Sequence, residues 1–414
     1  MKGLLKITLI ATSLALSLTA CSEKSKDAEP GSDNRIQVSA QMKSSELTDA
    51  AEQLVSPYTF MLADKVLDQA LEKDSGNIKA QFYKNFLKRA MAMKGIAKRI
   101  APLQKSAKQK ADYDKWMTEF PESPLKSFLL DGKEDIHTYS QFADLIADYN
   151  RGLNEFRKFL KVNQNAELTL NLNPYVFEKE INQELVNSCT WTGENGNYDI
   201  HCSYMNVAQK KLNVADMIAL RQMTSGEMLY WSFYTAYDAS VVEKAFENDQ
   251  MKNKSQKEIL AYFQAQPSVG QLRKDHTLNL IPEIGSDFSA AAKWALQYQD
   301  RVCPKGSGSL NQRKGYLFKN GICADHGSAD STDKALSLID QAMAGVFSVE
   351  IKKQGQTVDQ IQMNLVQFVT APPSDLKNIM PSQVDDYGVV TDWTDSKMGG
   401  LFPNGDISKL KQAK

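Results

Sequence analysis

The sequence has few of the residues from which a reaction is usually read. Its 414 residues include only four histidines, His137, His201, His276 and His326, scattered along the chain. No P-loop, H-E-x-x-H or calcium-loop pattern occurs, so phosphate-cradling, zinc-hydrolase and EF-hand chemistries lack their spacing. Lys and Arg total 49 against 50 Asp and Glu. Nucleic-acid binding, which needs a basic excess or stripe, is therefore not expected. Long apolar runs are missing beyond the first twenty residues. The greasiest internal segment, LNVADMIALRQMTSGEMLYWSFYTAY, is interrupted by Asp216, Arg221 and Glu227, short of the roughly 18 apolar residues that a membrane span needs. Cysteine is sparse: the five present form no C-x2-C pair, and no H-x3–5-H pair accompanies them. No cofactor, metal set or catalytic set is assigned.

Two near-motifs fail for want of context. Ser331-x-x-Lys334 has the serine–lysine spacing of penicillin-recognising enzymes, but no Lys-Thr-Gly strand follows, and the only Ser-Asp-Asn run is Ser32–Asn34. Ser331 reads instead as the N-cap of a helix through KALSLIDQAM. GSGSL at Gly306–Leu310 lacks the nucleophile-elbow spacing and reads as a surface loop.

What is present begins at the start of the chain. MKGLLKITLIATSLALSLTAC carries Lys2 and Lys6, an apolar run from Ile7 to Leu18, and small residues before Cys21, the pattern of a secretory leader over residues 1–20. LTAC further resembles the bacterial lipobox. The resemblance implies cleavage before a lipidated Cys21 and attachment to a membrane through the lipid. Ser22, where an aspartate would imply inner-membrane retention, points to the outer membrane, with the periplasmic face favoured.

That compartment decides how the other cysteines read. Setting Cys21 aside leaves four in an oxidising environment, and two disulfides are expected. Local pairing, Cys189–Cys202 and Cys303–Cys323, would contribute about 3 kcal/mol per loop in the chain-entropy model. A crossed pairing and a Cys/His metal set drawing on His201 and His326 are the alternatives.

Periodicity supplies the fold class. Phe142, Leu145, Ile146, Tyr149, Leu153, Phe156, Phe159 and Leu160 line one face of a long helix. A second pattern, IKAQFYKNFLKRAMAMKGIAKRIAPLQKSA, should kink or break at Pro102. Ser255-x-x-Glu258 is a capping box opening another helix. AELTLNL alternates like a strand, VNSCTWTGENGNYDIHCSYM centres on a hairpin turn, and VFSVEIKKQGQTVDQIQMN reads as an edge hairpin. The expectation is a mainly α protein: an antiparallel helical array or bundle, tetratricopeptide-like, with minor β hairpins. The intervals drawn are a signal peptide (1–20), a flexible tether (21–43), an N-terminal helical region (44–165), a disulfide loop with short strands (166–212), a second helical region (213–345), and a C-terminal hairpin with a capping tail (346–414).

The repeat likeness rests on ADKVLDQALEKDSGNIKAQFYKNF. Ala63, Leu67, Ala70 and Leu71, a short turn, then Ala80, Phe82 and Tyr83 resemble the second helix of a tetratricopeptide repeat and the start of the next. Ser75 stands where the repeat prefers proline. The tail, PPSDLKNIMPS followed by DWTDSKMGGLFPNGD, resembles the ending of tetratricopeptide-type lipoproteins of predatory and related Gram-negative bacteria. There Pro403-Asn404-Gly405 reads as a turn, and Leu401-Phe402 as a plug between helices.

The positive evidence favours binding. MLYWSFYTAY concentrates Tyr230, Trp231, Phe233, Tyr234 and Tyr237 in one short stretch. Aromatic residues at helical spacing usually pack inward; any left outside would line a groove and grip a partner. The function expected is a non-enzymatic, lipid-anchored envelope scaffold or protein-binding lipoprotein. The alternative is an accessory ligand-binding lipoprotein of a periplasmic transport system. The partner is thus an envelope protein or a small apolar ligand.

Overall fold

A computed structural model describes residues 34–55, 59–104, 107–119, 124–172, 190–193, 197–202, 208–247, 251, 253–302, 329–353, 356–405 and 407. The expected leader, Cys21, Cys189, Cys303, Cys323 and His326 lie outside these residues. The chain is mainly helical with small antiparallel hairpins, as its periodicity indicates. It divides into two units: one from Met1–Asp135, Arg151–Thr224 and Ala295–Asp325, the other from Ile136–Asn150, Ser225–Trp294 and His326–Lys414.

The first unit opens on strand β1 (Asn34–Val38), followed by helices α1 (Ser44–Gln53), α2 (Phe60–Lys73) and α3 (Ile78–Ala92). Strand β1 lies inside the interval drawn as a flexible tether, which is corrected over Asn34–Val38. β1 pairs antiparallel with a strand far along the sequence, an interaction that local composition does not signal. Helix α1 starts where the Lys43 N–H donates to Glu46 Oε2 at 2.7 Å, and α3 starts where Asn77 Oδ1 accepts from Ala80 N at 3.0 Å. Each bond satisfies an amide that a helix start leaves without an internal partner. Ala63, Ala70 and Ala80 are fully buried, so the helices carrying them approach closely, and Leu67, Phe82 and Tyr83 fill the space beside them.

The pattern running to Pro102 breaks earlier than expected, after Ala92. Gly95 has φ +69, and a Cβ on it would lie 2.5 Å from the Gly132 Cα. The backbone there adopts a left-handed turn against another glycine, which no side chain permits. A short helix α4 (Ile96–Arg99) and a 3-10 turn (Ala101–Leu103) containing Pro102 follow, then α5 (Ala107–Glu119) and α6 (Pro124–Leu130). Helix α7 (Tyr139–Val162) buries Phe142, Ile146, Tyr149, Leu153, Phe156, Phe159 and Leu160, as its periodicity requires.

Strands β2 (Leu168–Leu172), β3 (Thr190–Thr192), β4 (Tyr198–Cys202) and β5 (Ala208–Leu212) complete the β content of this unit. They form a three-stranded sheet in the order β1-β4-β3 and a two-stranded sheet of β2 with β5. Leu168 and Leu170 are buried while Thr169 between them is exposed, the period of two of a half-buried strand. One carboxylate joins this strand to the helices. Glu52 of α1 is buried and accepts from Tyr83 Oη (2.5 Å), Lys79 Nζ (2.7 Å), and both Asn171 N (2.5 Å) and Asn171 Nδ2 (2.8 Å).

The first half of α7, to Asn150, belongs to the second unit, and helix α8 (Val214–Tyr234) brings the chain back to it. It is followed by α9 (Ser240–Glu247), α10 (Gln256–Ala265), α11 (Ile281–Val302), whose last residues from Ala295 belong to the first unit, and α12 (Ala329–Ala344). The capping box at the start of α10 forms as expected: Glu258 N donates to Ser255 Oγ, and Ser255 N to Glu258 Oε2. Ser331, expected as an N-cap, lies inside α12, which is already helical at Ala329. Hairpin β6 (Val346–Lys353)–β7 (Gln356–Asn364), helix α13 (Leu365–Thr370) and hairpin β8 (Pro381–Val384)–β9 (Val390–Trp393) follow.

Phe402 is buried with Ile351, Ile361 and Ile407, and Met363 and Trp393 pack beside them. It seats on the β6–β7 hairpin, so the plug between helices expected of Leu401-Phe402 is corrected. The hairpin's apolar face is the surface that needs covering, and Asn364 N bonds the Leu401 carbonyl at 2.8 Å to fix the register of the cover. Among the described residues no helix is long and apolar enough to cross a membrane.

Candidate functional site

The second half of α8 carries the aromatic run, and the helix sorts its rings by face. Trp231 is 1% exposed and meets Phe142 of α7 edge to face at 6.2 Å. Tyr230 and Phe233, on the other side, remain 39% and 44% exposed. Tyr234 is half-buried and stacks parallel to Tyr230 with centroids 5.9 Å apart. Tyr237 lies beyond the helix in an extended segment and packs beside the buried cluster of Ala236, Leu278, Ile281 and Val369. Of the five expected residues, the helix brings Tyr230, Phe233 and Tyr234 to a common accessible edge. It sends Trp231 to the core, and Tyr237 serves the packing.

The edge continues onto α7. Tyr139, its first residue, meets Tyr234 edge to face at 5.7 Å and donates its hydroxyl to the Tyr234 carbonyl, one of the acceptors that a helix C-terminus leaves open. Burial pushes the Tyr139 phenol well above its ordinary range, against the opposing pull of the Arg273 charge. Its backbone N–H is held by Glu243 Oε2 of α9 at 3.1 Å. Three tyrosines from two helices thus form a fixed aromatic ladder, each ring in a favourable stacked or edge geometry.

A polar frame adjoins it. The Arg273 side chain is 9% exposed; it pairs with Asp144, with Asp275 at 3.0 Å, and donates to Ser140 Oγ at 3.3 Å. Burial opposes the charge on Arg273, but the two carboxylates outweigh it and hold the guanidinium above its ordinary value. The segment carrying it is stitched on both sides. Arg273 N bonds the Ala236 carbonyl and Asp238 N the Gln271 carbonyl, while Leu272 N bonds Ser374 and Leu376 N bonds Gly270. Asp375 locks this stitching, accepting from Ser268 Oγ and from the amides of Val269 (3.1 Å), Gly270 (3.2 Å) and Lys377 (2.8 Å). A depression of about 220 Å³ lies here, lined by Asp238, Gln271, Leu272, Arg273, Lys274 and Asp275.

Tyr139, Asp144, Arg273 and Asp375 were not singled out from the sequence. Only the helical pattern after Thr138 marked the first two, and the other two lie in short charged segments between helices. His276 shows no catalytic arrangement: its Nδ1 is buried without a hydrogen-bond partner, and burial lowers its pKa against the pull of Asp275. Among the described residues no group of three or more His, Cys, Asp or Glu is placed to hold a metal ion. His201 and Cys202 end strand β4, and the register partner of His201 is Thr190. The residue adjoining Thr190 in sequence is Cys189. Comparison of the chain with protein-family models, with curated proteins and with solved structures finds no match.

Proposed function

We propose that this chain is a non-enzymatic binding lipoprotein, anchored through Cys21 to the outer membrane, that holds a protein partner against the aromatic edge of α8 in the periplasm. The observation that carries the reading is the half-exposure of Tyr230 and Phe233 beside the buried Trp231. Rings held in fixed geometry lose little conformational entropy on binding, and aromatic residues dominate the energetics of protein interfaces. Within the first unit the helical pair α2–α3, with alanines at its close approach, supports the reading of a repeat-like scaffold.

A protein fits this surface better than the small apolar ligand of a transport accessory. Apolar ligands take enclosed, mostly apolar pockets of about 300–1,000 Å³. The depression beside the ladder is smaller, and five of its six lining residues are polar or charged. The test is purification of the tagged full-length chain from detergent-solubilised envelopes, comparing wild type with Tyr230→Ala/Phe233→Ala. A co-purifying protein should fall at least about tenfold in the variant, since each lost hot-spot ring costs about 2 kcal/mol or more. Undiminished recovery, or a bound lipid and no protein, would overturn the reading.

A further inference from the structure

The tip of the β8–β9 hairpin is both tightly built and openly displayed. Asp385 Oδ1 accepts from Tyr387 N at 3.0 Å and Val389 N at 2.8 Å. The Asp385 N–H bonds the Val389 carbonyl, and its carbonyl accepts from Gly388 N. Gly388 has φ +80, and a Cβ there would lie 2.7 Å from Gln256 Cγ, so the turn presses against α10. The same helix grips the hairpin twice more: Gln264 Nε2 donates to the Ser382 carbonyl at 2.8 Å, and Lys257 pairs with Asp386 at 3.4 Å. Yet Tyr387, the largest side chain of the turn, is 93% exposed, and Val389 beside it is exposed too.

A turn that merely joins two strands is served by Asn-Gly or Asp-Gly and needs no aromatic ring. We propose that Asp385–Val389 is a preformed plug for a second protein surface: an apolar pocket that admits the Tyr387 ring, rimmed by lysine or arginine. Preorganisation removes most of the ordering cost that a mobile loop would meet on binding. A phenol tip suits a pocket that is apolar in its walls and wet at its floor. The rim follows from charge: Asp385 and Asp386 flank the ring, and among the described residues the ion pair they make is that of Asp386 with Lys257, so a cationic partner surface is complementary. The same charges disfavour an anionic lipid surface. This surface is separate from α8, so it stands or falls independently of the reading given above.

The test places p-benzoylphenylalanine at position 387 of the full-length chain in intact cells, with the same probe at Asp392, an exposed position on β9, as control. Irradiation should link position 387 to one protein through a peptide bearing Lys or Arg. With that protein purified, Tyr387→Ala should weaken Kd about 30-fold or more, the scale of a hot-spot aromatic. Asp386→Lys should weaken it at low salt by about fivefold or more, an effect that fades as salt screens the rim. The thermal midpoint should match wild type in Tyr387→Ala, whose side chain is exposed, and fall only slightly in Asp386→Lys, which gives up one exposed ion pair with Lys257. A lipid adduct, no adduct, equal linking from position 392, or an affinity unchanged by Tyr387→Ala would overturn the proposal.

Discussion

Replacing Glu52 should open a large part of the first unit. The carboxylate is buried and satisfies four donors, two at each oxygen: Tyr83 and Asn171 N at Oε1, Lys79 and Asn171 Nδ2 at Oε2. Glu52→Ala removes the bonds from Tyr83 Oη, Asn171 N and Asn171 Nδ2 and separates Lys79 from its closer partner. Breaking a buried ion pair from one side costs about 3–5 kcal/mol. Lys79 keeps Asp49 at 3.0 Å and is itself 21% exposed, which places the expected loss near the lower end, about 3 kcal/mol. Glu52→Gln preserves the shape, and one oxygen still accepts two of the bonds. Its NH2 then confronts two donors, so a loss of about 1.5–3 kcal/mol is expected. Adding Lys79→Met to Glu52→Gln removes one of those donors and should restore part of the loss, which a double-mutant cycle measures.

Hydrogen exchange is the suitable assay, because it reports local opening where a two-unit protein need not unfold in one step. Glu52→Ala should speed exchange in α1, α3 and β2 by roughly 150-fold, the equivalent of about 3 kcal/mol. Peptides of α10 in the other unit should be unchanged. A loss below about 1 kcal/mol in Glu52→Ala, or a larger loss in Glu52→Gln than in Glu52→Ala, would refute the reasoning, since neither fits a fully used buried carboxylate.

Asp375 gives a pH dependence. Burial pushes its carboxyl up, but the bonds from Ser268 and from the amides of Lys377, Gly270 and Val269 outweigh it and hold the pKa below the ordinary value. A depressed carboxylate contributes stability that is complete above its unfolded pKa and lost as pH falls through the folded one. Exchange in residues 268–272 should therefore stay protected at pH 5 and loosen below about pH 4. Asp375→Asn should be looser at pH 5 and flat across that range; a wild-type profile in the variant would remove Asp375 from the account. The four cysteines other than Cys21 should resist alkylation in the oxidised protein and react after reduction, with Cys189 linked to Cys202 and Cys303 to Cys323 in peptide maps. Free alkylation, or zinc bound one per chain, would return His201 and His326 to consideration.

The parts of this fold that could be read from the sequence are those set by local chemistry. The buried face of α7 follows from apolar spacing, the start of α10 from Ser255 and Glu258, and the alternation of β2 from Leu168 and Leu170. What escaped depends on partners distant in the chain. β1 is a mostly polar run, NRIQV, whose strand character comes from pairing with β4 more than 150 residues later. The break near Gly95 is set by the backbone of Gly132, and Phe402 is seated by Ile351 and Ile361 of a hairpin.

The candidate site divides in the same way. Composition located the aromatic stretch, but spacing within it could not say which rings face outward. Tyr230 and Trp231 are neighbours in sequence, and the helix turns one to solvent and the other to Phe142. The Arg273 frame was hidden because its carboxylates come from a helix and a loop, and no short motif spans them.

The central claim, that the aromatic edge of α8 is covered by a protein in the envelope, is tested most directly by hydroxyl-radical footprinting of the full-length chain. The comparison is between isolated membranes and the purified state, with the exposed Met61 of α2 as internal reference. The account predicts that Tyr230 and Phe233 oxidise readily in the purified chain and become at least about fivefold protected in membranes, as ring burial at an interface core requires. Met61 should react equally in both. Equal oxidation of Tyr230 and Phe233 in the two preparations would contradict it.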